Sequence, residues 1–209
     1  RAHLWRCVGI GQVLAQHEGD FRLGLGLKSA GWIESPPVDD SHVIEQHAEV
    51  GLIDTEWHRR DPAQTLAVLG FGSPDAEHAS WGGIFPLLGY RGKGLSRGLS
   101  AHPMASHLDW LLQHRPAYLK CSPMAAAELA QLAIAAGVTL PIRQIMSQSE
   151  RVLPAHRALC HQAFGAAIKD RYSSEEVGWI ALQCPKHEHL HVMSGVSQVE
   201  IVDDAGAPC

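Results

Sequence analysis

Apolar and polar positions change rhythm along the chain. Through residues 1–38, glycine and proline recur (Gly24, Gly26, Gly31, Pro36, Pro37), which predicts loops with short strands. Residues 41–59 predict a helix. Asp40 or Ser41 can cap it, Val43, Ala48, Leu52 and Ile53 supply a ragged apolar face, and Asp61 followed by Pro62 ends it. Residues 65–71 are a short apolar run, most simply a buried strand. Residues 72–99, rich in glycine and serine, are expected to be mostly loop.

The pattern then becomes regular. A capping-box-like start at Ser106 to Asp109 predicts a helix through Gln113, stopped by Pro116. Residues 117–121 read as a strand. Ser122 caps the next helix, with Pro123 in its first turn and Gly137 just past its end. A strand over 142–146, a helix over 153–164 closed by Gly165, and a strand over 167–170 complete the alternation. Three further strands, 178–183, 190–193 and 198–203, have no helices between them. The expectation is an α/β fold: a mostly parallel sheet with flanking helices, plus antiparallel strands at the C-terminal end.

Composition narrows the function classes. The 209 residues are 45% hydrophobic and 19% charged, as in ordinary globular domains, and formal net charge is −5. Arg91, Lys93 and Arg97 form only a short basic grouping, so neither nucleic acid nor an anionic membrane is an expected partner. The five cysteines lack paired spacing, which fits a reducing cytoplasm. The most apolar stretch, 124–138, is interrupted by Glu128 and Gln131 and reads as a buried helix, not a membrane span. Cys121, Cys160 and the six tryptophans read as packing residues.

In open α/β sheets, ligands bind off the carboxyl ends of the strands. That rule points to three loops: Cys121 to Pro123, Ser147 to Arg151, and Asp170 to Glu176. The third carries Asp170, Arg171, Tyr172, Ser173, Ser174, Glu175 and Glu176. Its aromatic ring could stack on a base, its hydroxyls could bond phosphate, and a carboxylate could help hold magnesium. The same residues also suit an ordinary polar loop, with Glu175 capping or solvated.

The stretch from Asp170 to Pro185 resembles the Tyr-Gly-x-Thr-Glu region of adenylate-forming enzymes, most closely the phenylacetate–CoA ligase and capsule-biosynthesis branch. In that branch a Cys-Pro and a His-Val follow, here Cys184, Pro185 and His191, Val192. Val199 to Asp203 resembles its next strand. Asp109 to Leu111 and Pro116 to Lys120 resemble an earlier helix and strand. The likeness covers residues 105–209 well and 1–104 weakly. It implies that Tyr172 stacks on adenine, that Ser149 and Glu150 line the nucleotide pocket, and that Glu176 is the catalytic magnesium-binding carboxylate. Glu175 stands where the motif has Thr, and Ser173 where it has Gly. The implied reaction is attack of a small carboxylate, with aryl acids among the candidates, on the α-phosphate of ATP, followed by transfer of the acyl group to a thiol, usually coenzyme A. A homodimer is also implied.

Two regions depart from that pattern. The phosphate loop is expected near residues 28–36, where Trp32 and Ile33 are bulky and Glu34 repels phosphate. The chain starts at Arg1 and ends at Cys209, after a turn signal, with no counterpart of the family's mobile lid. A partial AMP-binding domain, inactive alone, is therefore the expectation. A non-catalytic descendant that binds a nucleotide or zinc is the alternative. Cys184, His187, His189 and His191 have the density of a metal site, and thiolate plus imidazole suits zinc. The three histidines would share one strand face, which allows either metal or a solvated row. The resemblance implies that Cys184 and His191 are half of a structural zinc site, with His187 or His189 as substitutes.

Overall fold

The computed structural model of the chain describes residues 4–9, 12–14, 40–174, 178–203 and 207, with side chains from residue 49 onward. The expected phosphate loop at 28–36 lies outside the described residues.

In chain order, the elements begin with β1 (Leu4–Gly9), β2 (Gln12–Leu14), α1 (Asp40–Trp57), β3 (Leu66–Gly70), β4 (Ala76–His78), β5 (Gly94–Gly98) and α2 (Met104–His114). They continue with β6 (Tyr118–Cys121), α3 (Pro123–Ala136), β7 (Gln144–Ser147), α4 (Pro154–Phe164), β8 (Ala167–Lys169), β9 (Arg171–Ser174), β10 (Gly178–Gln183), β11 (Leu190–Val192) and β12 (Gln198–Val202).

The central sheet has six strands in the order β4-β5-β3-β6-β7-β8. All pairings are parallel except that of β4 with β5. Successive residues of a strand face opposite sides. Ala67, Leu69, Leu119, Ile145 and Ile168 pack with Leu111 of α2, Leu129 of α3 and Phe164 of α4 in the main core. The second face carries a smaller apolar cluster of Leu66, Tyr118 and Met146 with Val68 and Trp81, beside Lys120 and Gln144. Two antiparallel sheets follow, β11-β10-β9 and β12-β1-β2. The α/β architecture with late antiparallel strands is as the sequence pattern predicts.

Helix boundaries follow local chemistry. Ser122 Oγ accepts from Ala125 N at 3.2 Å, Pro123 opens α3, and Gly137 closes it at φ 65°. Gly165 closes α4 at φ 67°. Two expectations need correction. α2 begins after Pro103 with no side-chain cap, and Ser106 instead accepts from Arg97 Nη2 at 2.9 Å. α1 ends before Asp61. Arg60 N donates to Thr55 O and Arg59 N to Glu56 O, with Arg59 at φ 51°, a Schellman closure that turns Arg60 inward.

The stretch expected to be mostly loop, 72–99, contains β4 and β5, and β5 is an interior strand between β3 and β4. Its sequence, Gly-Leu-Ser-Arg-Gly, has no apolar run. The glycines answer to close backbone approach: a Cβ on Gly94 would lie 2.5 Å from Ser80 O, and one on Gly98 2.8 Å from Ser73 O. Among the described residues no helix is long and apolar enough to cross a membrane.

Candidate functional site

The carboxyl ends of β3, β6, β7 and β8 lie side by side, and side chains from the following loops stitch them together. Gln148 N donates to Cys121 O at 3.2 Å, and Gln148 Nε2 donates to Leu69 O at 3.2 Å. Glu150 Oε2 accepts from Met124 N at 3.2 Å, in the first turn of α3. An acidic group there is favoured by the helix dipole. Ser147 Oγ donates to Asp170 Oδ1 at 3.0 Å, and Arg171 N reaches both Ser147 Oγ (3.2 Å) and Asp170 Oδ1 (2.9 Å). Asp170 N donates to Gln183 Oε1 at 2.8 Å. The loops named from the sequence are therefore one connected polar ledge.

The expected site residues fall differently on that ledge. Ser149 is exposed, with φ 67°, a left-handed conformation uncommon for serine. Glu150 and Asp170 are half-buried and held by the bonds above. Tyr172 is half-buried against Ile180 and Ala181. Ser173 is exposed and Ser174 half-buried. These residues belong to strand β9, so the first half of the third expected loop is a paired strand, a correction to the sequence reading. Glu175 and Glu176 lie outside the described residues.

Arg171 is held from several sides. Its side chain is buried, on the strand face opposite to that of Tyr172. Its Nε donates to Ser147 O at 3.3 Å, its Nη1 lies 3.4 Å from Asp54 Oδ2, and its guanidinium stacks over Trp179 at 4.6 Å. These contacts anchor the segment that carries Tyr172.

Under β9 lies a charged cluster that sequence reasoning missed. Asp54 Oδ2 also accepts from Arg60 Nη1 at 2.5 Å, and Arg60 Nε donates to Gln144 Oε1 at 2.5 Å. His58 Nε2 stands 3.4 Å from Asp54 Oδ1 without the alignment of a hydrogen bond. Burial, and then the charge of Arg60, push the His58 imidazole down to about 4, against the weaker pull of Asp54. Burial, and then Arg171, lower the Lys120 ammonium to about 8. Nothing in the helical periodicity of α1 marks Asp54 as buried. The available signal was an acid and a following Arg60 within one turn of a helix end.

Phe71, 63% exposed in the loop after β3, is a second omission at the same edge of the sheet. The rule that singled out three loops applies equally to β3, whose successor carries this unburied ring.

A separate set of ligating groups sits on the β10–β11 turn. Atoms of Cys184, His189 and His191 lie within 4.8 Å of one another. Cys184 N donates to His189 O at 2.8 Å, which holds the turn closed. His187 is not one of the three; its ring stacks on that of His189 at 5.5 Å. Trp57 meets His191 edge-on at 5.5 Å. One thiol and two imidazoles from a tight turn are a donor set that suits zinc.

No family model and no curated protein matches the chain, but solved structures do. The chain is similar to a 2-hydroxyisobutyryl-CoA ligase solved in an open conformation with 2-HIB-AMP and CoA (18% identity, TM-score 0.59, 78% of this chain and 36% of that one). It is also similar to the anthranilate CoA ligase AuaEII in complex with anthranoyl-AMP (18%, 0.56, 79% and 32%). A benzoate CoA ligase from Burkholderia xenovorans LB400 is a third match (17%, 0.56, 79% and 34%). The likeness is one of fold, and the chain spans about a third of the length of these structures.

Proposed function

We propose that this chain is the nucleotide-binding part of an enzyme that activates a small carboxylic acid with ATP and passes the acyl group to a thiol, with coenzyme A as the acceptor. The observation that carries the reading is the polar ledge itself. Ser147, Gln148, Glu150 and Asp170 converge at the carboxyl ends of adjacent parallel strands, in a fold shared with ligases solved with acyl-adenylates. Within it, Tyr172 stacks on the adenine while Ser149 and Glu150 line the base. Asp170 and Ser147 hold the turn into β9 rigid, so the ring is positioned before the nucleotide arrives. When bound, magnesium supplies charge neutralisation at the phosphates, with Glu176 as its ligand. The order of motifs from Asp109 to Asp203 favours the phenylacetate–CoA ligase branch, and an aryl acid fits a site bordered by Phe71. Cys184, His189 and His191 hold a structural zinc ion that fixes the β10–β11 turn.

The test is carboxylate-dependent ATP–pyrophosphate exchange by the complete native protein across a panel of aryl and alkyl acids. Exchange with at least one acid, abolished by Glu176→Gln, is the expected result. No exchange with any acid, under conditions where the protein binds ATP, would leave only a nucleotide-binding module.

A further inference from the structure

We propose that the cleft between α4, the edge strand β8 and the β10–β11 turn binds a phosphate group through Arg157, Lys169 and Lys186. The cleft has a volume of about 600 Å³, and of its lining residues only Gln183, which accepts from Asp170 N, also touches the ledge at the strand ends. Its charged lining is Arg157, Lys169 and Lys186 against one carboxylate, Glu188, with His161 and His187 beside them. Among the described residues, none of the three cations forms an ion pair. This local excess of positive charge stands on a chain whose net charge is −5, so it does not reflect a generally basic surface.

The arrangement is prepared for an anion. Arg157 Nη1 donates to Ile168 O at 2.5 Å and Nη2 to Gln183 Oε1 at 3.2 Å. These bonds use two of the five guanidinium donors and fix the plane of the group. Three donors are left for a ligand, at no further loss of side-chain freedom. Lys169 is half-buried, and its ammonium is disfavoured first by burial and then by the charges of Arg157 and Arg60. An anion seated between Arg157 and Lys169 relieves the repulsion and offsets the cost of burying the ammonium. With three cations and one carboxylate lining the cleft, a phosphate dianion balances the charge where a single carboxylate does not. The planar fork of Arg157 also matches phosphate oxygens.

The experiment is a titration of the 209-residue chain with inorganic phosphate at constant ionic strength, followed by the imidazole resonances of His161 and His187. A saturable shift is expected. Lys169→Met and Lys186→Gln should each weaken it about tenfold, as expected for loss of a charge-assisted contact. Glu188→Gln should tighten it, and Tyr172→Ala should leave it unchanged. A parallel titration with a phosphate monoester distinguishes a free ion from the phosphate of a larger ligand, by the tighter binding of the latter. Circular dichroism of each variant separates loss of binding from loss of fold. Absence of a saturable shift in the folded chain overturns the proposal, as does binding that survives both lysine substitutions. Loss of binding in Tyr172→Ala alone also overturns it, because the phosphate would then sit on the nucleotide ledge. The outcome does not depend on whether the chain adenylates an acid.

Discussion

Arg171 Nη1 lies 3.4 Å from Asp54 Oδ2, joining β9 to α1 across 117 positions of the chain. Asp54 also takes Arg60, so one carboxylate serves two buried guanidinium groups. Removing a single partner from such a cluster leaves the others buried and uncompensated. Asp54→Asn should therefore destabilise the fold by about 3–5 kcal/mol, read as a lower urea midpoint. Restoring some of that loss by adding Arg60→Gln would identify the unpaired guanidinium as its source; no recovery would place the cost elsewhere.

His58 gives the same region a pH dependence. In the fold its imidazole is held at about 4, below the ordinary 6.5, chiefly by burial and then by Arg60. Below pH 6.5 the unfolded chain takes up a proton that the folded chain refuses. Stability is therefore full above about pH 6.5 and is lost as pH falls toward 4. The loss amounts to about 3 kcal/mol by linkage. Urea midpoints measured from pH 7.5 to 4 should show this slope, and His58→Gln should flatten it. An unchanged slope in that variant would assign the acid sensitivity to other groups.

The interior strand β5 rests on glycine. A Cβ at Gly94 would lie 2.5 Å from Ser80 O, a backbone atom that cannot swing aside. Gly94→Ala should destabilise by about 1–3 kcal/mol, the range for overpacking. Gly137→Ala is a contrasting case, because a Cβ there meets nothing within 4 Å and only its φ of 65° resists the change. Equal unfolding midpoints for Gly94→Ala and the parent chain would argue against this packing.

The thiols should sort by environment. Burial raises the Cys160 thiol to about 12 and drives that of Cys121 higher still, so both should resist alkylation in the folded chain at pH 8. Zinc should bind with release of protons and raise the melting temperature, and Cys184→Ser or His191→Ala should remove both effects. Alkylation of Cys160 at the rate of a free thiol would contradict its burial.

Much of this was legible one element at a time. Ser122 with Pro123, then Gly137 and Gly165, mark the ends of α3 and α4 because capping chemistry is local, and short runs between such stops mark β3, β6 and β7. The sequence by itself thus determined the alternation of strands and helices, and hence the sheet edge where Ser147 to Glu150 and Asp170 gather. Tertiary structure alone decided three matters. It made Gly94–Gly98 a strand, because its glycines answer to backbone contacts made by Ser73 and Ser80 and not to any apolar run. It turned Arg171 inward and Tyr172 outward, because the strand's faces acquire meaning only once α1 supplies Asp54. It brought Arg157, Lys169 and Lys186 around one cleft from three elements. Contacts between positions far apart in the chain depend on how elements pack, and no local pattern of residues encodes that distance.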